Sequence, residues 1–265
     1  LLIPDKKIKE RLDYHYKAFD KSQISPDPLE TLHNYRNPRD IEAVGFIASV
    51  FAYGNVRQIL ASIRKIEEVI SRNPYEFIVN YDFEKDKAKF ERIKHRFYTS
   101  SDIAALFEIL HNVYVSYGSL KKLFLLYYFE KDDNIKESLS RFSSNLLSLS
   151  GRGGNGRIPT EGLSFMFPDP AKGSACKRMN LFLRWMVRKD ELDFGLWKEI
   201  PPNKLVIPVD THIARVCSYL NLTSRKNVSW KMAEEITDRL RTFDPSDPVK
   251  YDFAICHIGM RKLSF

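Results

Sequence analysis

Val209-Asp210-Thr211-His212-Ile213-Ala214-Arg215-Val216 reads as the first turns of a helix. Asp210 stands at the N-cap, where a carboxylate accepts amide N–H groups of the next turn, and Ile213, Val216 and Leu220 follow at helical spacing. Before it, Pro201 to Pro208 is a proline-broken extended segment, with Leu205-Val206-Ile207 its one convincing extended apolar run. Further upstream, Met179, Phe182, Leu183 and Met186 form a helical stripe that begins soon after Gly173. Downstream, Ser229 caps a stripe of Met232, Ala233, Ile236 and Leu240, and Val249 to Met260 reads as a last helix. Nearer the N-terminus, Val44, Ile47, Ala48 and Phe51 mark one helix, and Ile59, Ile63, Ile66 and Ile70 mark another. The two are joined at Tyr53-Gly54-Asn55. Ser100 or Ser101 can cap a further helix running through Ile103, Leu106, Phe107, Leu110 and Val113. Strands are scarce and no internal repeat emerges, so the pattern predicts an all-α fold.

Composition narrows the class. Of 265 residues, 43% are hydrophobic and 13% aromatic, which is too much apolar surface for a disordered chain. The longest apolar run, Leu123 to Phe129, falls well short of the roughly 20 residues that span a bilayer. No secretory leader is recognised, so the expected location is the cytoplasm. Cys176, Cys217 and Cys256 are too few and too scattered for a disulfide framework or a four-cysteine metal cluster. A net charge of +8 favours a polyanionic partner such as nucleic acid. Gly151, Gly153, Gly154 and Gly156, set among Arg152, Asn155 and Arg157, mark a basic connector between helical regions.

The segment Val209 to Val216 resembles the aspartate motif of the helix-hairpin-helix DNA glycosylases, the superfamily of endonuclease III and the archaeal 8-oxoguanine glycosylases. Gly173-Ser174-Ala175-Cys176-Lys177-Arg178-Met179-Asn180 resembles the hairpin and lysine segment of the same superfamily. The helices around Tyr53 look like its first barrel helices and their DNA-wedge loop. As a whole the chain resembles an uncharacterised bacterial family related to these enzymes, whose members share the runs Ser174 to Asp190 and Asp210 to Arg215. Two features depart from the pattern. Ala175 stands where many members have the second glycine of Gly-x-Gly, and the 33-residue interval from Lys177 to Asp210 is longer than in endonuclease III and similar to the archaeal branch. On this resemblance the interval Arg188 to Pro208 has to loop out for the two side chains to meet.

The resemblance implies a two-lobed helix-hairpin-helix glycosylase fold. Residues 41–204 would form a helical barrel carrying Lys177, and residues 1–40 with 205–265 a second lobe carrying Asp210. It implies a glycosylase with lyase activity on a damaged base in double-stranded DNA, an oxidised purine by analogy with the archaeal branch. No cofactor is implied, and the chain is expected to act as a monomer. Lys177 would attack the sugar and form a Schiff base, while Asp210 stabilises the positive charge that builds on the sugar. Gly173, Ser174, Ala175, His212, Arg215 and Asn55 are the expected DNA and phosphate contacts. Trp185, Trp197 and Phe167 are candidates to stack on an extruded base. In the last helix, Asp252 and Cys256 share one face and His257 lies on another. Asp252 is the expected hydrogen-bond acceptor for a purine N–H. Two other classes compete with the enzyme: a non-catalytic nucleic-acid-binding protein on the same scaffold, and a helical protein-interaction module.

Overall fold

A computed structural model of the chain describes residues 4–18, 20–71, 73–150 and 159–261, with backbone alone for 257 and 259–261. The fold is all-α: among the described residues there is no strand, and pairing is confined to the isolated bridges His95↔Tyr98 and Lys189↔Phe194. The longer helices, numbered in chain order, are α1 (Asp5–Ala18), α2 (Pro38–Phe51), α3 (Val56–Ile70), α4 (Ser100–Tyr117) and α5 (Lys136–Ser148). They continue with α6 (Lys177–Val187), α7 (Thr211–Tyr219), α8 (Trp230–Arg241) and α9 (Asp252–Arg261). No helix among the described residues is long and apolar enough to cross a membrane. The glycine-rich connector at 151–158 lies outside the described residues.

The chain divides into two compact units. One comprises residues 26–129 and 137–169, the other residues 1–25, 130–136 and 170–265. Residues 170–204, expected from the sequence to join the barrel, belong with the C-terminal helices, and residues 26–40 fall on the other side of the division. The cause is that α6 and the turn before it find their polar partners in the C-terminal helices: Trp230 donates its backbone N–H to Gly173, and Arg184 pairs with Asp252.

In the unit containing α2, the Asn37 side chain caps the helix ahead of Pro38, and every residue from Ile41 to Phe51 is buried. The α4 cap is Thr99 rather than Ser100 or Ser101. Its hydroxyl accepts the Asp102 amide while the Asp102 carboxylate accepts from Thr99, closing a capping box. Phe167 stacks on Phe46 at 6.1 Å in this core and is 1% exposed. It therefore has no face to offer an extruded base, and its expected stacking role gives way to core packing.

In the other unit, the interval 188–208 does not loop out. Phe194 and Trp197 donate backbone N–H groups to the carbonyls of Trp185 and Met186, and the Trp197 ring meets Phe182 edge-on at 5.2 Å. The segment turns back onto the end of α6, and its apolar residues Trp197, Ile200, Leu205, Val206 and Ile207 are all buried. Leu205 to Ile207 forms no strand, and Ile207 donates its N–H to the Thr237 hydroxyl instead.

Candidate active site around Lys177 and Asp210

The turn before α6 sets its first residue. Gly173 has φ +86°, which a side chain rarely adopts, and Cys176 takes the left-handed region at φ 49° although it carries a Cβ. Ser174 accepts the Cys176 N–H on its hydroxyl, and Asn180 donates its side-chain amide to the Ala175 carbonyl. These contacts fix the turn and start the helix at Lys177. Gly173, Ser174 and Ala175 thus sit at the entrance to α6, where the sequence motif places them.

Asp210 caps α7. Its Oδ1 accepts the backbone N–H groups of His212 and Ile213, both at 2.9 Å, and its Oδ2 lies 3.2 Å from Lys177 Nζ. About a third of each of these two side chains remains exposed. Burial pushes the Asp210 carboxyl up, but Lys177 and the two cap N–H groups outweigh it and hold it below the usual carboxylate range. At neutral pH the site therefore presents an anionic carboxylate beside an amine, open to solvent on one side.

A second layer was not anticipated from sequence. At 100° per residue, Lys177 and Arg184 fall on one stripe of α6, opposite Met179, Phe182, Leu183 and Met186, and Arg188 at the C-cap continues that stripe. Arg184 pairs with Asp252 and, at 3.3 Å, with Asp193. Arg188 pairs with Asp190 at 2.9 Å, with Asp247 at 2.9 Å and with Asp193. Burial raises the Asp193 and Asp252 carboxyls despite their arginines, whereas Asp190 is held low by Arg188 and by the N–H groups of Asp193 and Leu192, against its own burial. The sequence signal was the spacing of the three cations. Their partners come from loops and helices far apart in the chain.

The remaining expected residues divide. Asp252 is 4% exposed and its carboxylate meets Arg184, so it presents no acceptor to a base, and the recognition role expected of it is corrected here to a buried ion pair. Trp185 is fully buried with no hydrogen-bond partner for its indole N–H, and Trp197 is fully buried too, so neither offers a ring face to a ligand. His212 Nε2 is buried without a hydrogen-bond partner, while Arg215 is exposed. Asn55 belongs to the other unit, where its side chain caps α3 through the Arg57 N–H. Cys256 is half-buried, and the His257 side chain lies outside the described residues. Among the described residues no group of three or more His, Cys, Asp or Glu is arranged to hold a metal ion. A cavity of about 380 Å³ lies where Tyr16, Lys250 and Phe253 face Arg188, Asp190 and Leu192, and neither Lys177 nor Asp210 lines it.

What these residues define is an all-helical protein in which a helix-initiating lysine meets a helix-capping aspartate. The chain belongs to the family described as protein of unknown function (DUF2400), which it matches over residues 27–261. No curated protein and no solved structure matches it.

Proposed function

We propose that the protein is a DNA glycosylase with lyase activity that removes a damaged base through Lys177 and Asp210. The observation that carries this reading is the 3.2 Å approach of Lys177 Nζ to Asp210 Oδ2 at a partly exposed site. A deoxyribose entering between the two side chains meets a nucleophile and a carboxylate together. Once the Lys177 ammonium has given a proton to solvent water, the free amine attacks the anomeric carbon, a C–N bond to Lys177 forms, and the bond to the base breaks, its electron pair leaving with the base, which takes up the proton that the newly bonded nitrogen sheds. Asp210 stabilises the positive charge on the sugar as the base departs. Ring opening gives an imine on Lys177, and loss of the neighbouring C2′ proton expels the 3′ phosphate.

Double-stranded DNA as partner is supported by a second surface, in the unit containing α3. His95 and Tyr98 pair across a two-residue turn whose tip is Arg96 and Phe97, and Phe97 is 60% exposed. The Arg96 guanidinium lies 4.8 Å from the Tyr53 ring and 5.6 Å from the Phe97 ring. Exposed aromatic faces beside a cation suit bases that have left the stack, and the exposed Arg57, Arg92 and Lys94 are neighbours in sequence. The same surface is what a non-catalytic nucleic-acid-binding protein would need, so binding alone does not separate the two readings. Release of free base does. Duplexes each carrying one oxidised or alkylated base, incubated with the protein and assayed for the liberated base, should yield product from at least one lesion. Tight, salt-dependent binding with no base released from any duplex leaves the binding protein as the reading.

A further inference from the structure

The cationic stripe of α6 is spent unevenly. Lys177, at its first residue, meets one partly exposed carboxylate, whereas Arg184, two turns on, and Arg188, at the C-cap, are almost wholly buried among Asp190, Asp193, Asp247 and Asp252. Burying two guanidiniums is costly unless every charge is paired, so the arrangement tolerates little rotation of the helix. Asp252 begins α9, and α9 packs on α7, the helix that Asp210 caps. The Asp252 carboxyl feels the charges of both Lys177 and Asp210 and itself opposes ionisation of Cys217 on α7. The Arg184–Asp252 pair therefore joins the helix carrying the amine to the helix packed against the carboxylate.

We propose that the buried Arg184–Asp252 ion pair is a positioning element for Lys177 and Asp210. It fixes the rotation of α6 and ties the start of α9 to it, so that amine and carboxylate stay face to face while their own contact remains open to substrate. Neither residue touches substrate. The inference deepens the reading of Lys177 as the nucleophile and rests on it for its meaning, although its geometry can be tested without it.

The test uses the full chain and three forms: wild type, Asp252→Asn and Arg184→Gln. Brief reductive methylation with formaldehyde and cyanoborohydride, read by peptide mass spectrometry, reports how firmly each lysine amine is held. Lys177 should be modified at least threefold faster in both variants than in wild type, while exposed Lys231 is unchanged. In parallel, single-turnover borohydride trapping on a duplex with one abasic site should slow at least tenfold in both variants at unchanged duplex affinity. Loss of duplex affinity together with trapping in a variant that still melts cooperatively would overturn the positioning role. Lys177 methylation equal to wild type in both folded variants overturns the proposal whatever the trapping shows. If wild type forms no adduct, the glycosylase reading fails and the methylation result still decides the positioning. Should either variant fail to fold, Asp252→Glu and Arg184→Lys keep both charges while changing their reach, and the same threefold criterion applies to them.

Discussion

Lys177 Nζ lies 3.2 Å from Asp210 Oδ2, the oxygen that the α7 cap leaves unused, because Oδ1 alone accepts the N–H groups of His212 and Ile213. One carboxylate thus starts a helix with one oxygen and faces an amine with the other. The structural use and the proposed chemical use of Asp210 are compatible, and substitutions can separate them.

Asp210→Asn keeps an oxygen that can accept both cap N–H groups but removes the charge. Its stability should fall by less than the roughly 1 kcal/mol expected for Asp210→Ala, which loses the cap altogether. Base release should drop at least a hundredfold in both, at unchanged duplex affinity. Thermal unfolding set beside a base-release assay checks this, and equal losses of stability and activity in Asp210→Asn would reduce the residue to a cap.

At the aromatic tip, stability and binding should move in opposite directions. Arg96 sits at φ 53°, where glycine carries no strain, so Arg96→Gly should hold or raise the melting temperature. Duplex affinity should nonetheless fall, with a salt dependence shallower by about one charge, as for a lost phosphate or base contact. Titrations at several salt concentrations measure both quantities. An unchanged affinity would remove this tip from the nucleic-acid surface.

Gly162 is set against Asp102, whose carboxylate already accepts from Thr99 and Thr160 and so cannot move aside. A methyl group there collides with it. Gly162→Ala should cost about 1–3 kcal/mol, as overpacking does, read from the denaturant midpoint at unchanged slope.

Acid should unfold the protein from the ionic layer. Burial raises Asp190, but Arg188 and two backbone N–H groups win, so its folded-state value lies below its unfolded one. The stability it contributes is present above the unfolded value, near pH 4, and is lost as pH falls through the lower folded value. Asp193 and Asp252 run the other way, since their carboxyls are raised by burial and take up protons first as pH falls. The melting temperature should therefore decline below about pH 4, and Asp190→Asn should show a smaller decline over the same range. An equally steep decline in that variant would show that Asp190 does not contribute.

Sequence patterning made the amphipathic helices legible because they bury one face: the stripe Ile59, Ile63, Ile66 and Ile70 is buried in α3 as its spacing requires. Sequence singled out Lys177 and Asp210, and the structure places both at helix starts and brings them together. Burial of polar and aromatic groups was not legible. Asp252 and Arg184 carry no local sign that they will meet across 68 residues, and Phe167 shows nothing in sequence that turns it toward Phe46. The division of the chain escaped for the same reason: α6 joins the unit that supplies its counter-charges, a tertiary fact that the glycine-rich composition break upstream does not reveal.

The central claim is tested most directly by trapping the proposed imine. The protein is mixed with a duplex containing a single abasic site and treated with borohydride, and the product is digested and mapped by mass spectrometry. The account predicts a covalent adduct on the peptide containing Lys177, absent in Lys177→Ala although that variant still binds the duplex. An adduct on any other residue, or none with wild-type protein bound to the site, would contradict it.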